Sequence, residues 1–223
     1  RSYVSDYLKE EIAAEGLARA LPSFSDFLRV VALTDTEIVN FTAVASECAV
    51  ARTTAQGYYQ ILIDTLLGDF VPAYTRKQKR RVIHAPKFYF FDVGIVNHLA
   101  KRGHVTPGSE LFGKTFENFI FHELQAYAEY TKSYFDYSYW RLSTGGEVDF
   151  IVNDMEYAIE VKAKNNVTNR DLKCLREVKK DNPKIKRLIL ISLEKVSRKT
   201  DDGISILSVN DFLSQLWNRK LLI

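Results

Sequence analysis

The most constraining feature of the chain is a pair of short apolar segments that carry acids at matched positions. Glu147-Val-Asp149-Phe-Ile-Val152 and Tyr157-Ala-Ile-Glu160-Val-Lys162 flank Asn153-Asp-Met-Glu156. Their β-branched and aromatic residues predict two strands joined by a tight hairpin. Pairing Val152 with Tyr157 sets Asp149 opposite Glu160 and Glu147 opposite Lys162. Strand alternation then expects Asp149, Glu160 and Lys162 on one face, with Val148, Phe150, Ile159 and Val161 filling the other. Two carboxylates facing each other across a ladder repel. A divalent cation reverses that sign, and carboxylate oxygens are the ligands that Mg²⁺ and Mn²⁺ take.

A third acid comes from the preceding helical pattern. Gly113, Glu117, Ile120, Phe121 and Leu124 share one face, so Glu117 lies on or beside an apolar stripe. A carboxylate there is costly unless a charge meets it. Each residue alone has a structural reading: Lys162 pairs with Glu147, Asp149 and Glu160 face solvent at a sheet edge, and Glu117 snorkels. Together, three acids and a lysine on one face point to a chemical site.

The rest of this half predicts a helix over 111–130, strands over 134–142, 147–152 and 157–164, and a basic helix over 168–180. Strands over 187–193 and 204–207 and a helix over 209–217 follow. The first half reads differently. Tyr3, Tyr7, Ile12 and Leu17 give a helix over 3–20, which Pro22 closes, with Ser25 or Asp26 capping another over 27–32. Residues 36–67 predict two helices with a break near Cys48 to Ala51. The first holds Ile38, Phe41, Val44 and Ala45, and the second holds Ala55, Tyr58, Leu62 and Leu66 on one face. That is a helix-turn-helix pattern, and strands over 70–74 and 81–91 would form its wing. Arg52, Thr53 and Gln56 would meet DNA, and Arg76, Lys77, Lys79, Arg80 and Arg81 would meet phosphates. Helical hairpins of this kind also pack internally or bind proteins.

Charge supports a polyanionic partner. The chain is only +3 overall, yet residues 76–87 carry six bases and no acid, and residues 162–199 carry thirteen bases against four acids. Arg170, Lys173 and Arg176 of the basic helix are offered to a phosphate backbone. No apolar run approaches the ~18 residues of a membrane helix. Cys48 and Cys174 form neither a disulfide framework nor a metal knuckle, and they suit a reducing cytoplasm. The only Met is Met155 and the chain opens at Arg1, so we read it as the C-terminal piece of a longer protein.

Glu117 on a helix, Asp149 after a gap and Glu160-Val161-Lys162 on the next strand resemble the PD-(D/E)XK nuclease superfamily. The αβββαβ order is similar to that superfamily's core. Further stretches resemble the C-terminal module of prokaryotic AAA+-type ATPases of unknown function. They are Ser2-Tyr-Val-Ser-Asp-Tyr-Leu8 with Glu11-Ile12, Pro86-Lys-Phe-Tyr-Phe-Phe-Asp-Val-Gly94, Phe116-Glu-Asn118, Glu147-Val-Asp-Phe150 and Glu160-Val-Lys162. The resemblance implies a helical linker over 1–34, a winged helix over 35–92 and a restriction-endonuclease-like α/β domain over 93–223. It implies that Asp149, Glu160 and the Val161 carbonyl ligate Mg²⁺ or Mn²⁺, with Glu117 acting directly or through water. Lys162 would orient the attacking water. The implied activity is hydrolysis of nucleic acid, DNA before RNA. ATP would enter only through an ATPase domain that precedes this chain. The alternative is a non-catalytic DNA-binding, regulatory or protein-interaction module of that ATPase.

Two motifs are set aside. Gly108-Ser-Glu-Leu-Phe-Gly113-Lys114-Thr115 matches a phosphate-loop string, but no buried strand leads into it. His122-Glu123 lacks the second histidine of a zinc-protease helix.

Overall fold

The structure, a computed structural model, describes residues 21–75, 85–141 and 145–222. The helix expected over 3–20 and the bases Arg76, Lys77, Lys79, Arg80 and Arg81 lie outside the described residues. The chain is mixed α/β and divides into two units. One takes the chain up to Phe70 together with Phe88–Val105. The other takes Val71–Lys87 and the chain from Thr106 onward. Among the described residues no helix is long and apolar enough to cross a membrane.

The first unit holds α1 (Leu21–Leu33), α2 (Phe41–Glu47), α3 (Arg52–Asp64) and α4 (Val93–Leu99), and all but Val71 and Lys87 of the paired strands β1 (Gly68–Val71) and β2 (Lys87–Phe90). Pro22 sits at the second residue of α1, where a missing N–H forfeits no helical hydrogen bond, and α1 runs on through Ser25 and Asp26 instead of starting after them. The break expected near Cys48 is present between α2 and α3, with Ala49 in the left-handed region at φ 51°. Asn40, rather than a residue near Ile38, starts α2, its Oδ1 accepting the Ala43 N–H.

Ala55, Tyr58 and Leu62 are buried along α3 as expected, but Leu66 is 80% exposed. The helix stops at Asp64, the Thr65 hydroxyl donates to the Ile61 carbonyl, and Leu66 turns to φ 58°. The stripe therefore ends one turn early. The core of this unit is aromatic: the Tyr59 ring stands 5.0 Å from both Phe27 and Phe88 and 5.3 Å from Phe70. Strands were expected over 70–74 and 81–91; those described are Gly68–Val71 and Lys87–Phe90, and residues 81–84 lie outside the described ones. Gly68 makes that close pairing possible. A Cβ there would lie 2.5 Å from the Phe88 ring and 2.6 Å from the Tyr89 carbonyl oxygen. Backbone cannot yield as a side chain does, so Gly68→Ala is expected to cost about 3 kcal/mol by overpacking. Hydrogen exchange at Phe88–Phe90 reads this, with faster exchange in the variant.

The second unit carries a six-stranded mixed sheet in the order β3-β4-β5-β6-β8-β7. Its strands are β3 (Tyr137–Arg141), β4 (Glu147–Val152), β5 (Tyr157–Lys162), β6 (Arg187–Ser192), β7 (Arg198–Lys199) and β8 (Ser205–Ser208). β5 pairs with β6 and β6 with β8 in parallel; the other pairs are antiparallel. α5 (Glu110–Thr131), α6 (Lys173–Asp181) and α7 (Val209–Trp217) complete it. The parallel step from β5 to β6 needs a crossover, and α6 supplies it.

Two starts fall three or more residues later than the sequence expectation. β3 starts at Tyr137 because Lys132 and Tyr134 take left-handed φ values of 53° and 45°. α6 starts at Lys173 because the Asp171 carboxylate accepts from the Thr168 N–H and hydroxyl, holding 168–172 as turns. β7 and α4 were not expected. Gly108 to Thr115, the phosphate-loop string, spans a turn and the opening of α5. Ser109 caps that helix, and Lys114 lies 3.5 Å from Glu110.

Candidate functional site

The hairpin register is the one the sequence dictates. Val152 faces Tyr157, Ile151 faces Ala158 and Phe150 faces Ile159. The turn between them holds Asn153, Asp154 and Met155 at positive φ, which Asn and Asp tolerate well, and Met155 buries its side chain.

The ladder then stops at Asp149, and the other side of β4 shows why. Ser138 pairs with Ile151 and Trp140 with Val148, so Asp149 and Phe150 stand opposite the single Tyr139. This is a β-bulge, which bends a strand and re-aims a side chain. The Asp149 carboxylate turns into the gap, and its Oδ2 accepts the Val161 N–H at 2.8 Å. A side chain has replaced the ladder carbonyl, and the strands part there. The bulge also overturns one expectation. Val148 does not share a face with Phe150: it packs with Ile151, Ala158 and Leu175 of α6, while Phe150 stacks on Phe121 of α5 at 5.6 Å.

Two charged clusters meet at Asp149. On one side Lys87, only 3% exposed, sends its ammonium 2.6 Å from Glu147 Oε1, 3.0 Å from Glu117 Oε1 and 3.6 Å from Asp149 Oδ1. Its Nζ also lies 5.7 Å from the Tyr139 ring centroid. Tyr139 is fully buried, and its hydroxyl donates to the Ala85 carbonyl, anchoring the segment that delivers Lys87. Arg141 Nη1 holds the other oxygen of Glu147 at 3.2 Å. Glu147 therefore pairs with Lys87 and Arg141, and Lys162 takes Glu160.

On the other side are Glu160 and Lys162. Both lie on the α6 side of β5, sharing the face of Ala158. Glu160 is 4% exposed, with Lys162 Nζ 2.5 Å from its Oε1. Its Oε2 is buried and has no hydrogen-bond partner among the described residues. Burial, and then the charge of Asp149, hold the Glu160 carboxyl well above the usual carboxylate range against the pull of Lys162. Burial works against the Lys162 charge, but Glu160 and Asp149 outweigh it and keep the ammonium protonated.

The raised Glu160 pKa carries a stability sign. A carboxyl held above its unfolded value contributes fully at acid pH, and that contribution is lost as pH rises through the folded value. Glu160→Gln removes this loss and keeps an acceptor for Lys162. We expect the metal-free variant to be the more stable of the two at pH 8, with the advantage shrinking as the pH is lowered toward 4. Urea melts at the two pH values measure it; equal gaps at both would contradict it.

Residues 1–105 match the family model of a domain of unknown function, DUF8612, and residues 112–212 match that of a second, DUF4143. The second is typically found with AAA ATPases. No curated protein and no solved structure matches the chain. Glu117, Asp149, Glu160 and Lys162 all fall inside the DUF4143 match, whereas Lys87 falls inside the other.

The structure thus brings Asp149, Glu160, Val161 and Lys162 together and ties Glu117 to Lys87. Among the described residues no group of three or more His, Cys, Asp and Glu side chains is arranged to hold a metal ion. The offered nucleic-acid contacts are distributed. Arg52, Thr53 and Gln56 are exposed on the opening turns of α3. Arg170 and Lys173 are exposed before and at the start of α6. Arg176 is committed to Asp202, its Nε 2.6 Å from Oδ2. Lys87 is the residue that sequence reasoning missed as part of the site. The available signal was a lysine heading a strand of four buried positions, with uncompensated acids elsewhere in the chain.

Proposed function

We propose that the α/β unit is a divalent-metal-dependent nucleic-acid phosphodiesterase of the PD-(D/E)XK type, serving as the C-terminal part of a larger AAA+-type ATPase. The observation that carries this reading is the pair of buried carboxylates, Asp149 and Glu160, where β4 and β5 part. One Glu160 oxygen has no hydrogen-bond partner among the described residues, and a lysine stands on the other.

A buried carboxylate oxygen without a donor costs free energy unless a cation meets it. The donor set suits a hard cation: Mg²⁺ is held through one or two carboxylates and keeps waters and substrate oxygens for its other positions. Asp149 and Glu160 would hold the ion. Such an ion supplies, when bound, polarisation of a phosphoryl oxygen and acidification of a water. Lys162 would place its ammonium beside the charge that develops on phosphate. Its link to Glu160 Oε1 orients it for that task. Val161 fixes the Asp149 carboxylate through its N–H. Arg170 and Lys173 would hold backbone phosphates, and Arg52, Thr53 and Gln56 would contact DNA from the helical unit.

Metal binding tests this reading without requiring turnover. Mn²⁺ at a hundred times its Kd is expected to stabilise the α/β unit by about 2.7 kcal/mol. Both tryptophans, Trp140 and Trp217, lie in that unit, so a fluorescence melt reports it. Asp149→Asn is expected to lose the shift. The second reading, a non-catalytic DNA-binding or regulatory module, is favoured by Lys87, which already neutralises Glu117 and Glu147 without any metal. A wild-type chain that binds DNA in a salt-dependent way but shows no Mn²⁺ shift would decide for it.

A further inference from the structure

Phosphodiesterases that use two metal ions hold them about 3.5–4 Å apart, so that the attacking and leaving oxygens are both stabilised. Such a site needs more carboxylates than one ion does. Here four acids converge: Glu117, Glu147, Asp149 and Glu160. Two of them are already claimed. Lys87 Nζ binds Glu147 Oε1 at 2.6 Å and Glu117 Oε1 at 3.0 Å, and reaches Asp149 Oδ1 only at 3.6 Å. Asp149 thus stands between a cation on one side and the unpartnered Glu160 oxygen on the other.

We infer that Lys87 is a built-in second cation: the α/β unit takes one divalent ion, at Asp149 and Glu160, and Lys87 fills the place a second ion would occupy. The inference rests on the metal-site reading above. Its physical basis is that Lys87 is buried at 3% exposure, so its charge is not dispersed into water and its acids cannot be shared cheaply. A fixed ammonium also offers no open coordination position. Lys87 therefore excludes a second ion and assigns Glu117 and Glu147 to positioning the lysine rather than to holding metal. This departs from the role that the family resemblance implies for Glu117. The longest of its ion pairs with these acids, that to Asp149, is the one a metal at Asp149 and Glu160 would relax.

The experiment counts bound Mn²⁺ per folded chain by equilibrium dialysis with paramagnetic resonance of the free ion. The wild type is expected to bind one ion, Lys87→Arg one, and Lys87→Met two, with circular dichroism confirming that each is folded. Two ions on the wild type, or one on folded Lys87→Met, would overturn the inference. If Lys87→Met is unfolded without metal, adding Mn²⁺ is expected to restore its fold, since the acids that faced Lys87 then have a cation. Failure of millimolar Mn²⁺ to restore it also overturns the inference. No ion on the wild type is a different outcome: it removes the metal-site reading itself, and the role of Lys87 with it.

Discussion

Lys162→Ala is expected to slow phosphodiester cleavage by roughly 10²–10³-fold at saturating Mn²⁺, the scale of removing one preorganised charge-stabilising donor. The argument rests on where the ammonium sits. Lys162 Nζ is 2.5 Å from Glu160 Oε1 and one-third exposed, so it reaches toward solvent while its stem is held at the end of β5. Glu160 and Asp149 keep it charged over the whole working range. Removing it takes away a positive charge from the phosphate side without removing either carboxylate. The Mn²⁺-induced stabilisation should therefore survive in the variant while the rate does not. Because Glu160 loses a partner that favours its ionised form, the metal titration of the variant belongs at pH 8 or above. A variant that loses metal and activity together would show that Lys162 acts through Glu160 alone.

Lys87→Met is expected to destabilise the α/β unit by about 3–5 kcal/mol in metal-free buffer at pH 7, the range for removing one partner of a buried ionic cluster. The Lys87 side chain is 3% exposed, and its three acids are between 8% and 26% exposed, so little water is present to replace it. Glu117, Glu147 and Asp149 would lose a shared counter-charge, with Arg141 still beside Glu147 and the Val161 N–H still on Asp149. Tryptophan fluorescence in urea reads the loss through Trp140, which pairs with Val148 in β3 and is buried. Lys87→Arg, which keeps the charge but not the shape, should cost less. A Lys87→Met midpoint within 1 kcal/mol of the wild type would mean that the ammonium contributes no net stability.

Much of the α/β unit is legible in the sequence because its elements carry single, strong periodicities. The limits of β4 and α7 and the pairing of Val152 with Tyr157 follow from strand alternation and a four-residue turn. The bulge does not follow, because it is a mismatch between two strands. Nothing within Glu147–Val152 says that Asp149 and Phe150 will share Tyr139 as a partner. The side of Val148 was misplaced for that reason alone. Leu66 was misplaced by extending a helical stripe past the point where Thr65 and a left-handed residue end the helix.

The candidate site was half legible. Asp149, Glu160 and Lys162 lie close in the chain, so local register brings them together. Lys87 was hidden for two reasons. In sequence it continues a basic run that reads as a solvated, phosphate-seeking surface, and Glu117 is 30 positions away. The burial of Lys87 beside the Tyr139 ring becomes visible only in the folded chain. A lysine that heads an apolar strand is the pattern to search for when a sequence holds more acids on one face than one metal can use.

The most direct test is cleavage of supercoiled, linear and single-stranded DNA, and of RNA, by this chain with Mg²⁺ or Mn²⁺, alongside Lys162→Ala and a chelator control. The account predicts metal-dependent cleavage of at least one of these substrates, lost in chelator and reduced at least a hundredfold in Lys162→Ala. Cleavage that persists in chelator or in the variant, or no cleavage of any substrate by a chain that also binds no Mn²⁺, would contradict it.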